Sequence, residues 1–317
     1  MNAEEAHTSA SNPLEEEKAE LRAFLEGKQF SSRDDLQSQV DEFYRKRNQT
    51  PLDDFQGLSP DQMYRMLYFP FNTPHLVTFA RVLSVPPSAP AIALFSLLAE
   101  AMKEGGLKST ATGNLPRTFC REAAQSFLGP DGYEEKIKYG GINTEIDFFD
   151  LHVVRLTAGL AGLLRKYKGR YVLTRKSSGI LTVQGMEGIY PLLLESYIRK
   201  FNWAYRDRYP EPGFIQQSFL FSLYLLTKHG ANWQSSNFYE DCFLRAFPQV
   251  LEGAQSRPLS SPEETMRSCY TWRCLVNFAG FFGLADVEPV STDILNREYR
   301  IKKLPLLEHT VQFHFTT

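Results

Sequence analysis

The sequence has 317 residues, of which 43% are hydrophobic and 23% charged, and this composition excludes an intrinsically disordered chain. The formal net charge is -2, which also excludes a uniformly cationic surface. Contact with nucleic acid would therefore need a local basic patch. Residues 165–176 form such a patch, while Glu15, Glu16, Glu17 and Glu20 make the N-terminal segment acidic.

The N-terminal residues lack the apolar segment of a secretory signal, and no apolar run is long enough to cross a bilayer. We therefore expect a cytoplasmic protein without a membrane partner. The cysteines lack the spacing of a zinc pair or a redox CxxC motif, which predicts reduced thiols. They are Cys120, Cys242, Cys269 and Cys274.

The apolar periodicity and the positions of proline and glycine predict three parts of the chain. Residues 1–50 are predicted to be an N-terminal helical arm, with helices over residues 14–27 and 33–47. A first half over residues 51–185 and a second half over residues 186–317 are expected to follow.

Within the first half, Ser59 and Pro60 form a helix start, with a capping serine and a proline in the first turn. The segment VPPSAP at residues 85–90 predicts a stiff, extended connector. After it, the pattern predicts an apolar helix, a short polar strand over residues 107–112, another helix, and a loop over residues 129–145.

The central segment, residues 156–181, contains no acidic residue. A helix is predicted over residues 147–167, in which Gly159 and Gly162 mark either a close helix contact or a break between two helices. A turn at Lys168 and Gly169 and a strand with the sequence Tyr-Val-Leu-Thr are expected to follow. Residues 175–179 (RKSSG) predict a basic, flexible turn.

This segment resembles the end of a winged-helix domain, where a helix closing in a Gly-Leu-Leu turn is followed by a wing strand ending in Leu-Thr and a glycine. The residues that carry the resemblance are Ala161, Gly162, Leu163, Leu164, Gly169, Tyr171, Leu173, Thr174 and Gly179. The resemblance implies a helical unit whose wing cations contact phosphates and whose recognition helix enters the major groove.

In the second half, residues 214–229 are apolar on nearly every side and predict a buried central helix. Ser261 and Pro262 begin a further helix. Residues 300–303 and 310–315 alternate as expected for a pair of strands.

Gly283 and Leu284 precede these strands as Gly162 and Leu163 precede the central strand, which predicts an internal repeat. We therefore predict a mainly α protein with short β-wings (α+β), multi-helical and built from two winged-helix-like units.

The whole chain also resembles an uncharacterised bacterial family with the patterns SPxQM, a PF turn, GNLPR and the Gly-Leu-Leu wing segment. The matching residues are Ser59, Pro60, Gln62, Met63, Pro70, Phe71 and residues 113–117. This family has no established activity, so the resemblance implies no substrate.

No local motif indicates a reaction. The sequence has no glycine-rich phosphate loop and no GxSxG elbow, and neighbouring carboxylates such as Glu263 and Glu264 point apart on a helix. His309 and His314 are five residues apart, which argues against joint metal ligation. We expect no metal and no cofactor, and an enzyme is the least supported class.

The basic stretch is the feature of the sequence that indicates a function. Beyond Arg155, its candidate phosphate-binding residues are Arg165, Lys166, Lys168, Arg170, Arg175 and Lys176. The first hypothesis is a nucleic-acid-associated or regulatory protein that binds double-stranded DNA through them. The alternative is a protein-protein interaction or scaffold module, in which the same cations only favour a helix C-terminus. The oligomeric state is left open.

Overall fold

The structure is a computed structural model that describes residues 13–207, 209, 213–252, 260–291 and 298–314. The chain divides into two compact units, residues 1–64 and residues 65–317. The architecture is mainly α with small antiparallel sheets, which confirms the predicted fold class.

The first unit is helical. Its helices are α1 (Pro13–Leu25), α2 (Arg33–Gln49) and the first part of α3 (Pro60–Tyr68). The rings of Phe24 on α1 and Phe43 on α2 have centroids 5.4 Å apart. An ion pair of 2.9 Å joins Arg47 to Glu17. The two helices predicted for this segment are therefore confirmed, and apolar contact and charge hold them together.

The second unit contains the end of α3 and then β1 (Val77–Phe79), and a first helix–sheet module follows. This module consists of α4 (Pro90–Ala101), β2 (Leu107–Lys108), α5 (Arg117–Ile137), α6 (Phe149–Leu160), β3 (Leu164–Tyr167) and β4 (Arg170–Leu173). The strands form an antiparallel sheet in the order β2-β4-β3. A short 3₁₀ turn, Glu145–Phe148, leads into α6.

Three element boundaries of the first module differ from the sequence prediction. The strand predicted over residues 107–112 ends at Lys108, since β2 covers only Leu107–Lys108. The helix predicted to reach residue 167 ends at Leu160, because Gly162 takes a positive φ of 70° and Leu164–Tyr167 becomes β3. The loop predicted from residue 129 is helical as far as Ile137, with a kink at Gly129. Proline in the first turn after this glycine suits a restarting helix.

The turn predicted over residues 175–179 is wrong, because these residues open helix α7 (Arg175–Arg199). The Thr174 hydroxyl accepts a hydrogen bond from the Ser177 amide at 3.1 Å and so caps the helix. Helix α7 is kinked at Gly185, which has a φ of 64°. The division predicted between residues 185 and 186 stays a prediction.

The second helix–sheet module has the same order of elements as the first. After α8 (Trp203–Asp207) and α9 (Phe214–Gln217), it consists of α10 (Phe219–His229), β5 (Gln234–Ser235), α11 (Ser236–Ala246), α12 (Pro262–Tyr270), β6 (Ala285–Pro289) and β7 (Tyr299–Lys303). A 3₁₀ turn, Pro248–Leu251, follows α11, and α12 continues as a π-helix over Thr271–Gly280. The sheet order is β5-β7-β6. The buried helix predicted over residues 214–229 is confirmed for α10, but Ser218 separates it from α9.

The predicted equivalence of the two Gly-Leu turns is confirmed by the backbone. Gly162 and Gly283 have φ values of 70° and 67°. The Leu163 amide donates to the Ala158 carbonyl at 2.9 Å, and the Leu284 amide donates to the Ala279 carbonyl at 2.8 Å. Each module therefore turns from its last helix into its hairpin in the same way.

The strand pairing predicted for residues 300–303 and 310–315 is wrong. Strand β7 pairs with β5 and β6, whereas β8 (Val311–Phe313), after the short helix α13 (Leu306–Thr310), pairs antiparallel with β1. Phe315 lies outside the described residues. Alternation along one strand does not reveal its partner when that partner lies more than two hundred residues away.

The second part of α7 connects the two modules. Its Tyr190 and Tyr197 donate hydrogen bonds to the carbonyls of Phe282 (2.6 Å) and Asn277 (3.0 Å) in the second module. The Lys200 ammonium, just after the helix, donates to the Leu160 carbonyl of α6 at 3.0 Å. Buried aromatic rings of this helix and of the π-helix thus form the centre of the core.

Candidate nucleic-acid interface

The predicted basic segment lies on a tight hairpin formed by β3 and β4, which we call the basic hairpin (residues 164–173). Its two-residue turn has positive φ at both positions, 47° at Lys168 and 74° at Gly169. Such turns match the twist of paired strands and favour Asn-Gly. A lysine in this left-handed conformation costs about 1 kcal/mol relative to glycine.

The six predicted contact residues are all exposed. Arg165 and Arg170 lie on one face of the hairpin with Tyr167, because directly paired residues of antiparallel strands share a face. Lys166 lies on the opposite face, beside Gly113. Within the described chain, none of the six forms an ion pair with a carboxylate.

Three of the cations have local partners that reduce their freedom. Arg170 donates through Nη1 to the Gly106 carbonyl at 2.8 Å, so it also anchors β4 to the chain before β2. The guanidinium of Arg165 lies 4.9 Å from the centroid of the Tyr167 ring. At the exposed tip, the Lys168 ammonium lies over the same ring, 5.4 Å from its centroid.

Arg175 and Lys176 occupy the first turn of α7, which holds no acidic residue. Cations at this position are repelled by the positive end of the helix dipole, at a cost of about 0.3–1 kcal/mol each. The same free amides and dipole attract anions. The structure thus places both residues where their charges favour a phosphate and disfavour the isolated helix.

A buried charge network supports the helix beneath the hairpin. The Glu145 carboxylate is fully buried and accepts hydrogen bonds from His152 Nδ1 at 2.7 Å, Arg155 Nε at 2.5 Å and the Leu115 amide at 2.6 Å. His152 Nε2 is 2.9 Å from the Tyr205 hydroxyl. Arg155, part of the basic stretch in sequence, is therefore neutralised by an acid.

Burial opposes ionisation of Glu145, but the hydrogen bonds from His152, Leu115 and Arg155 outweigh it and lower the pKa of this carboxyl. In the sequence, Glu145 is only the last residue of the loop predicted over residues 129–145. His152 and Arg155 follow Glu145 by seven and ten residues and lie on the same face of a helix, because they are three residues apart. This spacing is the signal in the sequence that could have predicted the network.

Between the basic hairpin and α6 lies a cavity of about 500 Å³, which we call the hairpin pocket. Its walls combine leucine, aromatic and cationic side chains, and none of its described lining residues is acidic. The lining residues are Arg155, Leu156, Gly159, Leu160, Leu164, Arg165, Lys166, Tyr171, Lys200, Phe201, Asn202 and Tyr205.

Most of α6 is covered by neighbouring elements. Near its start, Asp150 is paired with Arg206 of α8 at 2.6 Å, and the Phe149 ring packs on Tyr205 at 5.7 Å. Among the described positions of this helix, only Gly159 and Leu160 are exposed, at its end. Helix α6 therefore has no polar outer face with which to read base edges.

The hairpin of the second module carries balanced charge where it is described. Arg300 forms an ion pair with Glu288 opposite it, and Lys303 pairs with Glu308 at 2.6 Å. The two modules share their backbone order but differ in surface charge. The described strands of the second hairpin carry Asp286 and Glu288 opposite Lys302 and Arg300, whereas the strands of the first hairpin carry no acidic residue.

The described residues were also compared with the requirements of a metal site and of a membrane-spanning helix. These residues contain no group of three His, Cys, Asp or Glu side chains placed to hold a metal ion. They also contain no helix with both the length and the apolar character needed to cross a membrane.

Residues 88–186 match the family model of the Y4jL N-terminal domain. The match begins two residues before α4 and ends just after the kink at Gly185, so it covers the first module and the start of α7. It includes the GNLPR and Gly-Leu-Leu patterns, while the SPxQM and PF patterns lie outside it. Neither a curated protein nor a solved structure matches the chain.

Proposed function

We propose that this chain is a tandem winged-helix protein whose first module binds the phosphates of double-stranded DNA without reading its sequence. The order helix, strand, helix, helix, hairpin, with the first strand paired to the last, supports the winged-helix assignment for both modules. The contact surface consists of the basic hairpin and the first turn of α7.

The observation that carries the proposal is the placement of cations where they reduce stability. Lys168 occupies a left-handed turn position, and Arg175 and Lys176 stand at the positive end of a helix. Neither choice benefits the folded chain by itself. Exposed cations without acidic partners do benefit binding to a phosphate backbone, since each neutralised phosphate releases counterions.

Binding without sequence preference follows from the state of α6. In a winged helix that reads bases, this helix enters the major groove with polar side chains. Here the exposed end of α6 consists of Gly159 and Leu160, neither of which has a polar side chain. Phosphate contacts alone position a protein on the duplex and carry no sequence information.

A charge-reversal experiment tests this function. Changing Lys168, Arg175 and Lys176 together to Glu is expected to weaken binding to a closed circular duplex at least tenfold at low salt. The slope of log K against log salt should also flatten by about 0.9 for each phosphate that the protein no longer neutralises. Gel-shift titrations at several salt concentrations measure both quantities.

The matched control changes Lys136, Lys138 and Lys302, which are also exposed, to Glu, and so alters the net charge equally. This variant is expected to retain most of the affinity. Equal reductions in both triple variants, or duplex binding that does not respond to salt, would contradict the proposal.

A single substitution at the hairpin tip separates stability from binding. We expect Lys168→Asn to raise the free energy of unfolding by about 0.5–1 kcal/mol, because asparagine tolerates positive φ. The same change should weaken duplex binding, since the tip loses its charge. Urea denaturation and gel-shift titration of one preparation check both effects; a variant that gains stability and keeps full affinity would remove Lys168 from the interface.

The second candidate is a protein-protein interaction or scaffold module. The covered helix α6 and the charge-balanced hairpin of the second module favour it. Light scattering over a concentration series tests self-association. This candidate would be favoured if the chain does not bind duplex DNA and its self-association is unchanged when Lys168, Arg175 and Lys176 are replaced by Glu.

A further inference from the structure

We propose that the hairpin pocket binds a nucleoside 5′-monophosphate unit, either the terminal nucleotide of a strand or a free nucleotide. The proposal rests on the proposed function, since the pocket shares Arg165 and Lys166 with the phosphate-binding surface. It adds a site of defined size and chemistry to that surface.

The charge of the pocket selects an anion. Arg165, Lys166 and Lys200 bring three cations to its rim, and no described carboxylate lines it. The fourth cation, Arg155, is balanced by Glu145 and donates through Nη1 to the Tyr171 hydroxyl at 3.0 Å. The uncompensated positive charge is therefore at the mouth, where a phosphate group can keep part of its hydration.

The interior of the pocket suits a flat, apolar group. Leu156, Leu160, Leu164 and Phe201 provide apolar wall, and Tyr205 adds a second aromatic ring. Bases stack on aromatic side chains with a gain of about 1–3 kcal/mol for each base. A cavity of about 500 Å³ falls within the 300–1,000 Å³ range of small-ligand sites.

The network beneath the pocket fixes its aromatic wall before any ligand arrives. His152 joins the buried carboxylate to this wall, since its Nδ1 lies 2.7 Å from Glu145 and its Nε2 lies 2.9 Å from the Tyr205 hydroxyl. The Tyr205 ring also packs on Phe201, with centroids 6.2 Å apart. A wall held in place costs less conformational entropy on binding.

Calorimetry with the full chain tests the site, using the four nucleoside 5′-monophosphates, adenosine and inorganic phosphate as probes. We expect at least one monophosphate to bind tenfold or more tightly than either adenosine or phosphate alone. Heat from no monophosphate, or equal affinity for adenosine, would overturn the proposal.

Two glycine substitutions provide a steric block and its control. Gly159 and Gly179 are both helical, and a Cβ at either position meets no other atom within 4 Å. Gly159 lines the pocket, whereas Gly179 does not. Gly159→Trp should reduce nucleotide affinity at least tenfold and Gly179→Trp should leave it unchanged; retained affinity in Gly159→Trp would overturn the site.

A second variant tests the charge of the rim without filling the pocket. Changing the exposed residues Lys166 and Lys200 together to Ala should reduce monophosphate affinity to the level of the nucleoside. Affinity that remains unchanged would show that phosphate is not bound at this rim and would overturn the proposal.

Two further measurements identify the source of the nucleotide and separate a failure of the pocket proposal from a failure of the proposed DNA binding. If a 5′-phosphorylated oligonucleotide binds more tightly than both its 5′-hydroxyl form and the mononucleotide, the site binds strand ends. If the mononucleotide binds more tightly than the oligonucleotide, the site binds free nucleotide. Either result supports the proposal. A closed circular duplex has no strand ends. A wild-type chain that binds this duplex but no nucleotide or phosphorylated end would overturn the pocket alone.

Discussion

Replacing Glu145 by alanine is expected to lower the free energy of unfolding by about 3–5 kcal/mol, the cost of leaving a buried charge without its partner. The substitution removes the carboxylate that His152, Arg155 and the Leu115 amide all contact. The side chain of Arg155, of which 11% is exposed, would then lose its counter-ion. Urea denaturation of the full chain measures the decrease.

Asp147→Ala is the matched control, since Asp147 is an acid two residues further along the same turn. Its carboxylate accepts from the amides of Asn143 and Thr144 at the surface, at 2.9 and 2.8 Å. Removing such a cap costs about 1 kcal/mol. A Glu145→Ala variant no less stable than Asp147→Ala would mean that the network contributes little.

The contribution of Glu145 also depends on pH in a defined direction. Its pKa in the folded chain lies below the ordinary value of 4.5, so its stabilisation is fully present above pH 4.5 and is lost as pH falls through the folded pKa. We expect the difference in unfolding free energy between the natural chain and Glu145→Gln to shrink as the medium is acidified. A difference that is constant between pH 7 and pH 3 would contradict this assignment.

The second large effect is expected at Gly283, where alanine should cost about 3 kcal/mol. A Cβ at this position would lie 2.4 Å from the Ser88 carbonyl oxygen and 2.9 Å from the Ala89 Cβ. Because the nearest atom is backbone, the connector at residues 85–90 would have to move, and overpacking of this kind costs about 1–3 kcal/mol. The positive φ of 67° adds about 1–2 kcal/mol.

The internal repeat supplies the control for this prediction. Gly162 has the same conformation at the equivalent turn, and a Cβ there would meet no other atom within 4 Å. Gly162→Ala should therefore show only the conformational part of the cost, about 1–2 kcal/mol. Thermal or urea unfolding of both variants separates strain from crowding, and equal destabilisation would show that the packing of Gly283 against the connector is unimportant.

The sequence by itself determined the helices and turns that depend only on neighbouring residues. The helix start at Ser261 has its capping box, and the run after Phe219 forms a buried helix, because capping and apolar spacing act within a few residues. The equivalence of the turns at Gly162 and Gly283 was also visible, since a left-handed turn demands glycine whatever surrounds it.

Only the tertiary structure decided which strands pair and which charges meet. The partner of β8 is β1 at the other end of the unit, and Glu145 reaches Arg155 and the Leu115 amide from separate elements. Such contacts depend on how helices pack in three dimensions, which no local spacing specifies. For the same reason, the sequence showed a stretch of cations uninterrupted by acids between residues 155 and 176, while the fold neutralised Arg155, anchored Arg170 and left Lys168, Arg175 and Lys176 exposed.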